Sequence, residues 1–101
     1  MSLPILWTDE AKETFDAIFF FILDKFSEQS AKKLLKQTNK IIQIIKVQPE
    51  IFEASIFDRC RKGRITNQTS VFYEIQDDQI RLLFFFDNRH KAKVPERKAD
   101  K

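Results

Sequence analysis

Apolar residues recur at steps of three and four along Ala11, Phe15, Ile18, Phe19, Ile22 and Phe26, the spacing of one face of a helix. Phe20, Phe21 and Leu23 widen that stripe, so this helix is expected to be buried on more than one side or to touch a partner. Thr8 stands where an N-cap belongs. Asp9 and Glu10 follow in the first turn, where the helix dipole favours negative charge. Ser27 and Glu28 repeat that signature. A second stripe then runs through Ala31, Leu34, Leu35, Thr38, Ile41, Ile42 and Ile45, with Lys32, Lys33, Lys36, Lys40 and Lys46 mostly on the other faces, and Pro49 stops it. So short a connection between two amphipathic helices predicts an antiparallel helical hairpin. Ahead of it, Leu3 to Trp7 is apolar but carries Pro4, which removes a ladder donor and predicts an edge strand.

Beyond Pro49 the period changes to two. Strands are expected near Glu53–Cys60, Arg64–Ile75 and Gln79–Asp87, joined by two-residue turns at Lys62-Gly63 and Asp77-Asp78. The order is β-α-α-β-β-β. This is an α+β fold with the helical hairpin packed on one face of a small, mainly antiparallel sheet. Residues 1–94 read as a single domain. From Lys91 the chain is basic and unpatterned, and residues 95–101 read as a flexible polar tail.

The turns set a register, and opposite residues share a face. One face collects Ala54, Val71 and Phe84; Ile56, Thr69 and Phe86; Tyr73 with Leu82; and Ile75 with Ile80. That is a core face. The other collects Glu74 with Arg81, Phe72 with Leu83, then Ser55, Ser70 and Phe85. It continues with Phe57, Gln68 and Asp87, and ends with Arg59, Thr66 and Arg89. With both helices on the first face, the second is expected to be uncovered. It is then either a binding surface or a solvated one on which Glu74 and Arg81 pair. A slip of one residue would exchange the two faces.

Composition narrows the chemistry. The chain has 101 residues, 18 Lys+Arg against 15 Asp+Glu, and only one Gly, one Cys and one His beside eleven Phe. One Cys excludes a disulfide framework and a thiolate zinc cluster, and one Gly excludes phosphate-cradling Gly loops. Neither metal nor cofactor is expected. No apolar run approaches the ~20 residues that span a bilayer. Met1 to Leu6 lacks the basic segment of a leader, so no membrane partner and a cytoplasmic setting are expected. The net charge of +3 matters through its placement. Arg59, Arg61, Lys62 and Arg64 crowd the first turn, Arg89, His90, Lys91 and Lys93 follow the last strand, and the register brings the two groups to one end of the sheet. Solvent, a phosphate or a partner's carboxylates would have to offset their repulsion.

The segments "ILWTDEAKETFDAI", "RITNQTSVFYEI" and "IRLLFFFDNR" resemble the RelE/ParE superfamily of bacterial type II toxin–antitoxin toxins, over Leu3 to about Val94. The resemblance implies the same β-α-α-β-β-β fold and a toxin held by a cognate antitoxin from an adjacent gene, as a hetero-oligomer or homodimer. It implies one of two activities, with a block of translation through ribosome-associated mRNA cleavage as the leading expectation and gyrase inhibition as the alternative. RelE-like members cleave mRNA on the ribosome without a metal, and ParE-like members inhibit DNA gyrase by protein binding. A third reading is a degenerate antitoxin-binding module. For cleavage, a base for the 2′-hydroxyl, cations for the phosphate and an acid for the leaving oxygen are required, with a ring to stack the splayed base. The resemblance makes Arg89, His90 and Arg64 the catalytic candidates. Arg59, Arg61, Lys62 and Lys91 become RNA- or anion-binding candidates, and Phe57 or Phe85 the stacking platform. Two departures stand against cleavage. Ser70 occupies a third-strand position where the nucleases carry Arg, and Lys91 and Ala92 stand where a Tyr commonly follows. Tyr73 and Trp7 read as packing residues rather than chemistry.

Overall fold

A computed structural model describes residues 2–54 and 60–90. Its elements are β1 (Ile5–Trp7), α1 (Asp9–Lys25), α2 (Glu28–Val47), β2 (Arg61–Arg64), β3 (Thr69–Ile75) and β4 (Ile80–Asp87). The sheet order is β1-β4-β3-β2. β1 runs parallel to β4, and the other pairs are antiparallel. The α1–α2 hairpin lies on one face, as the two hydrophobic stripes require.

The expected caps form. Thr8 Oγ1 accepts the Ala11 amide at 3.0 Å, and Ser27 Oγ accepts the Ser30 amide at 3.0 Å. Only Phe26 and Ser27 separate the helices. Between them and the sheet lies the main core, which includes Ala11, Phe15, Ile18, Ile22, Leu34, Ile42, Ile45, Val71, Tyr73, Ile80, Leu82 and Phe85. Trp7 packs there as a core aromatic, stacked on Phe85 with centroids 5.3 Å apart, and Phe15 meets the same ring at 5.1 Å.

The Asp77-Asp78 turn is where the sequence places it. Gln76 N donates to Gln79 O at 2.9 Å, and Ile75–Ile80, Glu74–Arg81 and Tyr73–Leu82 pair as expected. The register then shifts by one between Tyr73 and Phe72, so that Phe72 faces Phe84, Val71 faces Phe85 and Thr69 faces Asp87. Leu83 is the extra residue of a β-bulge. The bulge sits where β1 has ended and α1 takes over as β4's neighbour. Thr8 Oγ1 donates to Leu82 O at 2.7 Å, and Thr14 Oγ1 accepts the buried Phe85 amide at 2.8 Å. Two helix threonines thus satisfy backbone groups that the ladder leaves open.

Two expectations are corrected here. Downstream of Leu83 the faces exchange: Phe85 enters the main core, and Phe84 and Phe86 turn to the other side. That other side is not an uncovered platform, because Cys60, Phe72, Leu83 and Phe84 are all buried in a second apolar cluster. The Lys62-Gly63 turn is also wrong. Both residues lie inside β2, and the chain reverses over residues 65–68, where Ile65 N and Thr66 N donate to Thr69 O. Gly63 sits inside the strand beside the Phe52 ring and Ile45, where an added Cβ would make ordinary contact at 3.4 and 3.5 Å. Of the strand expected at Glu53–Cys60, Ala54 makes an isolated bridge to Arg61, and residues 55–59 lie outside the described residues.

Candidate functional site

The end of β4 places the two best candidates. Asp87 is fully buried and shares the helix-side face of its partner Thr69. Its carboxylate accepts the Arg89 amide at 2.8 Å, Arg89 Nε at 3.1 Å, Arg89 Nη2 at 2.9 Å and the Thr69 hydroxyl. Burial pushes this carboxyl up, but the bonds from Arg89 and Thr69 outweigh it and hold Asp87 below the ordinary carboxylate range. Arg89 is therefore one half of an ion pair, its side chain 32% exposed, with its guanidinium carbon 5.2 Å from the Phe26 ring centroid. His90 folds back beside it. Its amide donates to Asp87 O at 3.0 Å, and its ring lies 4.9 Å from that of Phe21. Both residues sit against α1, on the helix side of the sheet.

Arg64 does not join them. It pairs with Ser70, which faces Phe86, and Lys62 pairs with Phe72, so both cations belong to the face away from the helices. Arg61 points the other way and donates from Nη1 to Phe52 O at 2.6 Å. The expected convergence of Arg64 with Arg89 is thus undone by the bulge and by the displaced turn. Phe85 is no stacking platform, because its ring is sealed between Trp7 and Phe15. Arg59, Phe57 and Lys91 lie outside the described residues.

Tyr73, a core residue in the sequence reading, donates its hydroxyl to Pro49 O at 2.6 Å. Burial pushes its pKa up to about 12, with the Arg61 charge opposing. Glu74 and Arg81 form the expected cross-strand pair at 3.4 Å, each about one-third exposed, worth at most ~1 kcal/mol. Sequence reasoning missed two things. Asp87 organises the site, and the only signal for it was an acid two residues before an arginine. The second is a polar cleft, lined by Ser30 and Lys33 of α2, Thr66 of the turn and Arg89, between elements far apart in the chain. Among the described residues no helix is long and apolar enough to cross a membrane.

The sequence matches, over residues 5–92, the family described as "ParE toxin of type II toxin-antitoxin system, parDE". The chain belongs to the ParE toxin family. A comparison with curated proteins finds no match. Among solved structures, a chain of the chromosomal ParDE system from P. aeruginosa superposes with a TM-score of 0.73 at 15% identity, covering 85% of this chain and 96% of that one. The YoeB/ParE toxin from Agrobacterium tumefaciens gives 0.64 at 14% identity, covering 84% and 98%. The YoeB dimer from Staphylococcus aureus gives 0.60 at 16% identity, covering 85% and 97%. At such identities the likeness is one of fold. It is the fold of the ParE and RelE toxins.

Proposed function

We propose that this toxin acts by gripping a protein target, with DNA gyrase as that target, and not by cutting RNA. One observation supports the reading above the others: the described cations are divided between the two faces of the sheet. Arg89 is held by Asp87 and His90 is packed on Phe21, both on the helix side, while Arg64 and Lys62 lie on the opposite face. General acid–base cleavage needs base, acid and phosphate-binding cations within hydrogen-bond reach of one scissile group. Protein binding has no such requirement and is served by the apolar surface the helices leave out, including Phe20 at 59% and Phe26 at 54% exposure.

A cognate antitoxin is the natural regulator. The ParDE system and the YoeB–YefM and DinJ–YafQ complexes among the structural neighbours pair a toxin of this fold with one. The decisive experiment runs two assays on the purified toxin: supercoiling by gyrase, and mRNA integrity in a translating extract. Inhibited supercoiling with intact mRNA is expected. Cleaved mRNA, lost in Arg64→Ala or Arg89→Ala, would restore the ribonuclease reading and sink this one.

A further inference from the structure

We propose that the cleft between α2, the β2–β3 turn and Arg89 is a binding site for a small phosphate monoester, distinct from the target-gripping role above. The cleft measures about 350 Å³, within the range of small-ligand sites. Its anchor is Arg89. Asp87 takes Nε and Nη2 along one edge, and Phe26 lies over the guanidinium. Nη1 has no protein partner among the described residues, and Arg89 lines the cleft. An arginine held this way loses little freedom when an anion arrives. The compensating carboxylate is itself buried behind it, and among the described residues no acidic one lines the cleft.

The remaining lining is biased toward donors. Lys33 contributes a second cation from α2. Thr66 Oγ1 already accepts the Gln68 and Thr69 amides, at 3.2 and 3.1 Å, which leaves its own proton to give. Ser30 Oγ accepts the Ser27 hydroxyl at 3.0 Å and likewise keeps its proton. Two cations and two committed hydroxyls, drawn from three elements, call for an anion with at least three acceptor oxygens. A planar carboxylate has two, whereas a terminal phosphate has three and carries up to two charges. Ile22 and Leu34 give the cleft an apolar wall for the organic part of the ligand.

The test is calorimetric titration of the full chain with glycerol 3-phosphate, inorganic phosphate and glycerol, combined with amide shift mapping. Saturable one-to-one binding of glycerol 3-phosphate is expected, tighter than inorganic phosphate, with shifts at Ser30, Thr66 and Arg89. Lys33→Gln, on the exposed side of α2, removes one charge-assisted bond and should weaken binding about tenfold. Ser30→Ala should weaken it by a smaller factor. No saturable binding at millimolar ligand overturns the proposal, as does binding that neither variant changes. Inorganic phosphate binding as tightly as the monoester overturns the monoester assignment. Equal competition by a short RNA without a terminal phosphate does the same.

Discussion

Asp87→Asn is the sharpest probe of how this site is built. The substitution keeps the shape and removes the charge that accepts the Arg89 amide, two guanidinium N–H groups and the Thr69 hydroxyl. Hydrogen bonds to a charged group contribute ~1.5–3 kcal/mol each in isolation. The cost of burying the carboxylate offsets much of that sum. Arg89 is also one-third exposed, so water recovers part of its solvation once the pair is broken. The net loss comes to about 2–3 kcal/mol, or roughly 10–20 °C in Tm for a domain of this size. The pH dependence follows from the depressed pKa. The folded state binds its proton more weakly than the unfolded chain, so this stabilisation is present above about pH 4 and lost as pH falls through the lower folded value. Urea unfolding followed by the single Trp, which stacks on Phe85, reads it directly. The gap between parent and variant should be widest at neutral pH and close as pH falls through the lowered folded value. A gap below about 0.5 kcal/mol at neutral pH, or one that stays constant through the acid range, refutes the reasoning.

Thr14→Val should cost about 1–3 kcal/mol in chemical denaturation, because it orphans the buried Phe85 amide at nearly constant volume; an effect indistinguishable from zero would mean that the bulge is satisfied some other way. Tyr73→Phe should cost about 1 kcal/mol. As Tyr73 is the only tyrosine, ultraviolet titration reports it alone: its folded pKa of about 12 lies above the unfolded value, so stability from this group is complete below about pH 10 and is lost as pH rises through 12, a step the variant lacks. Phe85→Ala should cost about 3–5 kcal/mol as a core truncation, while Phe20→Ala stays within about 0.5 kcal/mol. Near-equal thermal shifts for those two would show that Phe85 is not the core ring described here.

The elements that proved legible are those written in local sequence. Thr8 and Ser27 cap, Pro49 stops, the apolar stripes fix which helix faces are buried, and Asp77-Asp78 turns. Each depends on residues within a few positions of one another. The errors arose where a distant element decided. Lys62-Gly63 has the composition of a hairpin turn, yet both residues pair with β3 inside β2, and the turn falls on residues 65–68. The bulge at Leu83 falls where β1 has run out and the hydroxyls of Thr8 and Thr14 meet the β4 backbone, and no local pattern in β4 announces that. The candidate site inherited the error, since the expected meeting of Arg64 and Arg89 assumed an unbroken ladder.

One inserted residue therefore carries consequences well beyond its strand. Without it, alternation would turn Phe85 and Asp87 away from the helices and bring Phe84 and Phe86 in. With it, Phe85 completes the aromatic group with Trp7 and Phe15, and Asp87 goes under the helices beside Thr69. A carboxylate buried there needs a cation, and Arg89, two residues on, supplies it by folding back over Phe26. The arginine is thereby taken off the face that holds Arg64 and presented, edge first, to the cleft beside α2. Thr14 holds the Phe85 amide beside the bulge, so Thr14→Val also tests whether the bulge sets the Arg89–Asp87 pair. If the hydroxyl pins the bulge, the same substitution that lowers stability should also loosen Arg89 from Asp87, read as a weaker acid dependence of unfolding. Lowered stability with the acid limb unchanged would separate the bulge from the site and refute the link.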